Sequence, residues 1–222
     1  MTNRVVFIGS TGGAVLSRLL QHQFVKEMTD EVVSDRECGF IEVGERFGVE
    51  SFRLNANSGE DFSNALCDRY WGRENLVFLS FYTKLFKGRF LKINGGALFN
   101  CHPSLLPSFK GTKGFEDTLG SSALFMGCTL HRVDEGMDTG QSVIQVALPI
   151  DRSLPASVNR HKIFLSQLYS TLQFLKWIHE QRLRISAEGD VSVENIAFSP
   201  SPFSPNLDRD FFRFTGIQNE LL

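Results

Sequence analysis

Val5-Val6-Phe7-Ile8 is an apolar run that stops at Gly9-Ser10-Thr11-Gly12-Gly13. A helical pattern follows at once, with Val15, Leu16, Leu19, Leu20 and Phe24 spaced by one, three and four residues. Strand, glycine-rich turn and helix in that order open a doubly wound α/β fold, in which function collects where strands end and loops begin. The turn alone is a weak sign of a ligand. It is not the Gly-x-Gly-x-x-Gly of a dinucleotide site, and it lacks the Gly-Lys-Ser/Thr ending of a P-loop.

The alternation continues along the chain. Residues 31–34 read as a short strand, 40–47 as a helix stopped by Gly48, 49–54 as a strand, and 61–71 as an amphipathic helix with capping chemistry in residues 58–60. Leu76-Val77-Phe78-Leu79 is apolar throughout, as expected of a parallel strand covered on both faces. A strand ending at Asn100 follows Gly95-Gly96, then a short helix over 115–119, strands over 126–133 and 142–150, and a long helix over 156–181 behind Pro155. Residues 183–185 and 191–193 predict a hairpin. From Ser199 the chain turns Ser/Pro-rich and reads as an extended tail that packs Phe211 and Phe212 onto the body. The expected fold is therefore α/β, doubly wound around a mostly parallel sheet. Residues 1–182 form the catalytic domain, and residues 183–222 carry the hairpin and tail.

Composition narrows the partners. Hydrophobic residues make up 42% and charged residues 22%, the balance of a globular domain. A net charge of −2 gives no reason to expect nucleic acid or an anionic membrane. No apolar window of about 18 residues is present, so no membrane span is expected. Residues 1–24 lack the basic start and cleavage site of a signal peptide. Cys38, Cys67, Cys101 and Cys128 are isolated, which reads as reduced thiols in a cytoplasmic protein.

The chemistry-bearing stretches are Asn100-Cys101-His102-Pro103-Ser104-Leu105-Leu106-Pro107 and Gly127 to Gly140, the latter including His131, Asp134, Glu135, Gly136 and Asp138. On an extended chain, side chains two apart share a face, so Asn100 and His102 look into one volume while Cys101 turns away into the core. Pro103 and Pro107 restrict the following loop. A carboxylate at Asp138, in a glycine-bounded turn, could pair with His102 and favour its charged form. Other arrangements compete. Asp138-Thr139-Gly140 is the triplet of aspartic proteases, but those need two facing carboxylates. Cys101 beside His102 suggests a cysteine hydrolase, against which its core-facing parity argues. His102, His131, Cys128 and Asp138 could be assembled around zinc, but their spacing matches no short zinc motif. Each of the histidines and Asp138, taken alone, is more often structural than functional.

Asn-x-His-Pro-Ser-Leu-Leu-Pro, followed by Gly-x-Thr-x-His-x-Val-Asp-Glu-x-x-Asp-x-Gly, resembles the folate-dependent formyltransferases, most closely their glycinamide ribonucleotide transformylase branch. Sugar N-formyltransferases are relatives. The resemblance runs from Val5 to about Arg184. It implies transfer of a formyl group from 10-formyltetrahydrofolate to a primary amine, with Asn100, His102 and Asp138 catalytic and no metal. It further implies a folate pocket walled by Phe81, Tyr82, Thr83 and Leu85 and by Asp134, Glu135 and Gly136. The amine substrate would lie near Thr11, Gly12, Gly13 and His131. Two departures fall on the amine's side. The family's Gly-x-Gly-Ser-Asn turn is here Ser10-Thr11-Gly12-Gly13-Ala14, and its ribose-binding glutamate matches Leu165. They point to the same reaction on another amine, an amino sugar carried on a nucleotide. Phosphoribosylglycinamide formylation in purine biosynthesis is the alternative. A folate- or nucleotide-binding protein without catalysis is the reading from another class, and such a protein should have lost Asn100, His102 or Asp138. The expected partners are small molecules, and the tail is compatible with a homodimer.

Overall fold

The computed structural model describes residues 3–186 and 188–221. The elements run β1 (Arg4–Gly9), α1 (Ala14–Leu19), α2 (Gln23–Met28), β2 (Thr29–Ser34), α3 (Gly39–Arg46), β3 (Ser51–Arg53), α4 (Gly59–Tyr70) and β4 (Leu76–Phe81). A 3₁₀ segment (Gly88–Gly96) leads into β5 (Leu98–His102), α5 (Gly114–Gly120), β6 (Phe125–Arg132), β7 (Ser142–Pro149) and α6 (Ala156–His179). The chain ends with β8 (Leu183–Ile185), β9 (Val191–Val193), β10 (Phe203–Ser204) and α7 (Phe211–Thr215).

Eight strands form one sheet in the order β10-β7-β6-β5-β4-β1-β2-β3. The β1–β2, β1–β4, β2–β3 and β4–β5 pairs are parallel. From β5 outward the sheet turns antiparallel through β6, β7 and β10. The apolar strands divide their side chains between two layers, as period-two alternation requires. Val5, Phe7, Val77, Leu79, Phe99 and Cys101 join the core under α1, α3 and α6. Val6, Ile8, Phe78 and Leu98 join a second core with Phe62, Leu66 and Tyr70 of α4 and with Phe90. Ser58 caps α4 by accepting the N–H of Asp61. Glu31 on β2 takes hydrogen bonds from Arg69, Tyr70 and Arg73, which locks the end of α4 to the sheet.

The first helical pattern divides into two short helices rather than one, with Leu20, Gln21 and His22 between them. The tail is also more structured than an extended strap. Phe203 and Ser204 add a short strand to β7, and Phe211–Thr215 forms α7. Proline density from Pro200 to Pro205 limits the strand, and the apolar Phe211 anchors α7 in the core, where it lies fully buried. Lys176 on α6, 2% exposed, reaches Glu180, Asp208 and Asp210 at 2.6, 2.9 and 3.3 Å. Asp208 also takes Arg182 Nη1 at 2.6 Å and exchanges two hydrogen bonds with Gln173. These contacts seat the tail on α6.

Candidate active site

A cavity of about 380 Å³ opens at the carboxyl ends of β1, β4 and β5, the position an open α/β sheet favours for ligands. Asn100 and His102 line it from β5; Cys101 between them also borders it, but is buried and packs into the core under α1, α3 and α6. The β5–β6 register pairs Asn100 with His131 and His102 with Thr129, so strand pairing brings the second histidine beside the first pair. Asp138 arrives on the β6–β7 loop with φ of 51°, in the left-handed region that Asp tolerates better than most residues.

The polar groups converge. Asp138 Oδ2 lies 3.5 Å from His102 Nδ1, and Oδ1 lies 3.5 Å from His131 Nε2. The Gly111 N–H donates to Asp138 Oδ2 at 2.8 Å. Asn100 Nδ2 stands 3.5 Å from His131 Nε2. His131 Nδ1 meets the carbonyl of Arg132 at 2.9 Å, and His102 Nε2 meets the carbonyl of Phe109 at 2.9 Å. A carbonyl only accepts, so each of those ring nitrogens carries a hydrogen. The ring nitrogens left over, His102 Nδ1 and His131 Nε2, both look toward Asp138. Burial pushes the Asp138 carboxyl up, but the His131 side chain, the Gly111 N–H and His102 together outweigh it and hold it at about 2. Asp138 is therefore a carboxylate at neutral pH. Amide donor, imidazole and carboxylate side by side can stabilise an oxyanion and move a proton.

The other expected residues divide. Phe81, Tyr82, Thr83 and Leu85 line the cavity, as do Thr11, Gly13 and His131. Gly12, Asp134, Glu135 and Gly136 do not. Gly12 packs against Gly39, where a Cβ on Gly39 would come within 3.0 Å of it. Asp134 folds its own loop instead, accepting from the Gly136 N–H at 3.0 Å and from Thr139 Oγ1 at 2.6 Å. Met137 and Asp138 are the residues of that loop that reach the cavity. Leu165 is 2% exposed and belongs to the core beneath the sheet. A side chain directed there cannot meet a ligand in the cavity, so the substitution read at that position carries no weight about the amine.

Gln167, two residues on, is the α6 residue that lines the cavity, and its Nε2 donates to the carbonyl of Cys101 at 2.9 Å. Sequence reasoning passed over it because α6 is apolar on most sides and the helical phase that aims one glutamine outward depends on packing. Phe40, Lys84 and Phe86 also line the cavity. Asp35 at the end of β2 holds Lys84 Nζ at 2.9 Å, Tyr82 Oη at 3.0 Å and Arg36 through both its oxygens at 2.7 Å. Among the described residues, no group of three His, Cys, Asp or Glu side chains is arranged to hold a metal ion. Among them, too, no helix is long and apolar enough to cross a membrane.

The formyl transferase family profile matches residues 3–161. Among curated proteins, the chain is 33% identical over 147 residues to phosphoribosylglycinamide formyltransferase of Bacillus subtilis (strain 168), covering 64% of this chain and 75% of the relative. It is 38% identical over 101 residues to the trifunctional purine biosynthetic protein adenosine-3 of Bos taurus, covering 42% of this chain and 10% of that much longer protein. Among solved structures, glycinamide ribonucleotide transformylase 1 from Symbiobacterium toebii superposes with a TM-score of 0.75 at 25% identity, over 86% of this chain and 94% of that one. The matched region carries strands β1 to β7 and Asn100, His102, His131 and Asp138, and the chain belongs to the formyl transferase family, enzymes that move a formyl group with 10-formyltetrahydrofolate as co-substrate.

Proposed function

We propose that the protein formylates the glycinamide amine of a phosphoribosyl nucleotide, with Asn100, His102 and Asp138 as its catalytic residues. The convergence of these three side chains at one end of the cavity carries the reaction. Attack by the amine nitrogen on the formyl carbon forms a C–N bond and turns the carbonyl oxygen into an oxyanion. Asn100 Nδ2 and a proton on His102 Nδ1 are donors for that oxygen. Asp138, a carboxylate, accepts the proton the amine must lose. Collapse of the intermediate breaks the bond to the folate nitrogen, which carries no hydrogen while formylated and takes one from His102 Nδ1; the proton Asp138 received from the amine then restores the histidine. Phe81, Tyr82, Thr83 and Leu85 offer the apolar walls a flat pterin needs.

The acceptor follows from the company the chain keeps. Phosphoribosylglycinamide formyltransferase of Bacillus subtilis (strain 168) is 33% identical to this chain over three quarters of its own length. With Leu165 in the core, the first turn is the remaining departure, and an amino sugar has no positive support. The test supplies 10-formyltetrahydrofolate and follows folate release with glycinamide ribonucleotide and, separately, with a panel of nucleotide-linked amino sugars. Turnover of glycinamide ribonucleotide is the expected result. Turnover of one amino sugar alone would reject the acceptor, and inactivity with every amine would reject the reaction.

A further inference from the structure

His102 is held from two sides by one short loop. On one side the Phe109 carbonyl faces Nε2 at 2.9 Å. On the other, the Gly111 N–H orients the Asp138 carboxylate whose Oδ2 faces Nδ1 at 3.5 Å. Placing the Phe109 carbonyl there requires a left-handed backbone at a non-glycine residue, φ 54°, a conformation that surrounding contacts must enforce. Ser104 makes those contacts. It is fully buried, and its hydroxyl donates to the carbonyls of Ser108 at 2.8 Å and Phe109 at 3.1 Å.

Ser104 is in turn fixed by a row of side chains crossing the sheet. His102 pairs with Thr129 on β6, and Thr129 pairs with Gln145 on β7. Thr129 Oγ1 donates to the Ser104 carbonyl at 2.8 Å and accepts the Leu106 N–H at 3.1 Å. Gln145 Nε2 donates to Thr129 Oγ1 at 3.0 Å and to the Leu106 carbonyl at 2.8 Å. The loop between Ser104 and Phe109 therefore hangs from two antiparallel strands through buried polar groups. Gly114 completes the enclosure, since a Cβ there would stand 2.7 Å from His102 Nε2 and 2.9 Å from the Phe109 carbonyl.

We propose that Ser104 is a positioning residue for His102. Its hydroxyl holds the Phe109 carbonyl that keeps a hydrogen on Nε2, and so makes Nδ1, facing Asp138 and the cavity, the nitrogen that gains and loses the working proton. A buried carbonyl opposite Nε2 leaves no acceptor role for that nitrogen, whichever way the ring charges. Proton exchange then runs through the nitrogen aimed at the substrates. The inference rests on the reading of His102 as catalytic.

The experiment compares wild type, Ser104→Ala and Gln145→Leu by ¹⁵N-histidine NMR and by steady-state kinetics on the full chain. Wild type should show a His102 Nε2–H resonance protected from exchange by its carbonyl partner. Ser104→Ala should lose that protection and lower kcat about fivefold, the worth of one hydrogen bond, with KM for both substrates within about twofold. Gln145→Leu lies farther from the ring and keeps Ser104. It should shift both readouts in the same direction but less, and it decides the matter if Ser104→Ala does not fold. A hydrogen on Nδ1 and none on Nε2 in neutral wild type would overturn the proposal. So would unchanged exchange and kcat in a folded Ser104→Ala protein, or in Gln145→Leu where that variant alone folds. Full activity in His102→Ala would instead reject the catalytic reading, while the NMR result would still stand on its own.

Discussion

The Gly111 N–H donates to Asp138 Oδ2 at 2.8 Å, tying the loop after β5 to the loop after β6. That bond joins the two sequence stretches that carry the family's pattern, and it leaves the carboxylate facing both histidines. Asp138→Asn keeps the shape but removes the charge and the proton acceptor. On the proposed mechanism it should lower kcat by at least about 10²-fold with a far smaller change in KM, and Asn100→Ala should fall within roughly 10²–10³, the scale of one oxyanion donor. Steady-state kinetics on folded variants check this. Near-normal turnover in Asp138→Asn would remove it from the mechanism.

Much of this arrangement was legible in the chain. The apolar runs at 5–8 and 76–79 identified parallel strands because a strand covered on both faces has no polar phase to hide. Asn100 and His102 could be placed on one face because side-chain alternation on a strand is fixed. Leu165 and Gln167 mark where such reasoning stops. Two residues apart on a helix, they point in directions set by how α6 rolls against the sheet, and a pattern apolar on most sides does not determine that roll. Asp134 and Glu135 failed to reach the cavity for a related reason. The loop closes on itself through Asp134 and Thr139, a side-chain choice that spacing cannot reveal.

Gly114 offers a sharper mutational test than any polar residue. Its missing Cβ makes room for the His102 ring and the Phe109 carbonyl, both within 3.0 Å of where that atom would sit. Gly114→Ala must displace one of them, and the ring and a backbone carbonyl are poor at yielding. Turnover should drop by about 10²-fold, since displacement of a catalytic group by an ångström has that effect. Circular dichroism should show the helical content unchanged. A fully active Gly114→Ala protein would mean that the Phe109 carbonyl has no part in orienting the ring.

Acid should destabilise the protein through two carboxylates in particular. Burial raises the Asp35 carboxyl, but hydrogen bonds from Arg36, Lys84 and Tyr82 outweigh it and hold it at about 2, the level at which His131, Gly111 and His102 hold Asp138. Both lie below the ordinary Asp value of 3.8. The folded state therefore binds fewer protons than the unfolded one in that interval. The stability they contribute is fully present above about pH 4 and lost as pH falls toward about 2. Thermal melts across that window should show Tm falling with acid, and Asp35→Asn should flatten part of the fall. An equally steep fall in Asp35→Asn would assign the acid sensitivity to other groups.

Lys176 bears on what the tail contributes. Its ammonium is buried on α6 with Glu180, Asp208 and Asp210 around it, and Asp208 and Asp210 belong to the tail that ends in α7. Lys176→Met fills similar volume but removes the ammonium those carboxylates share, and breaking a buried ion pair from one side costs about 3 kcal/mol. Asp208 keeps Arg182 and Gln173, so the loss should fall on the attachment of the tail rather than on the sheet. Denaturant unfolding should show the lower stability, and limited proteolysis should cut first near Arg209 and Arg213. Neither Lys176 nor its partners line the cavity, so kcat in the folded variant should stay within about twofold of wild type. A large loss of kcat at full stability would instead mean that the tail's seat on α6 is coupled to Gln167 and the catalytic strand beside it, making the tail part of the active site's support.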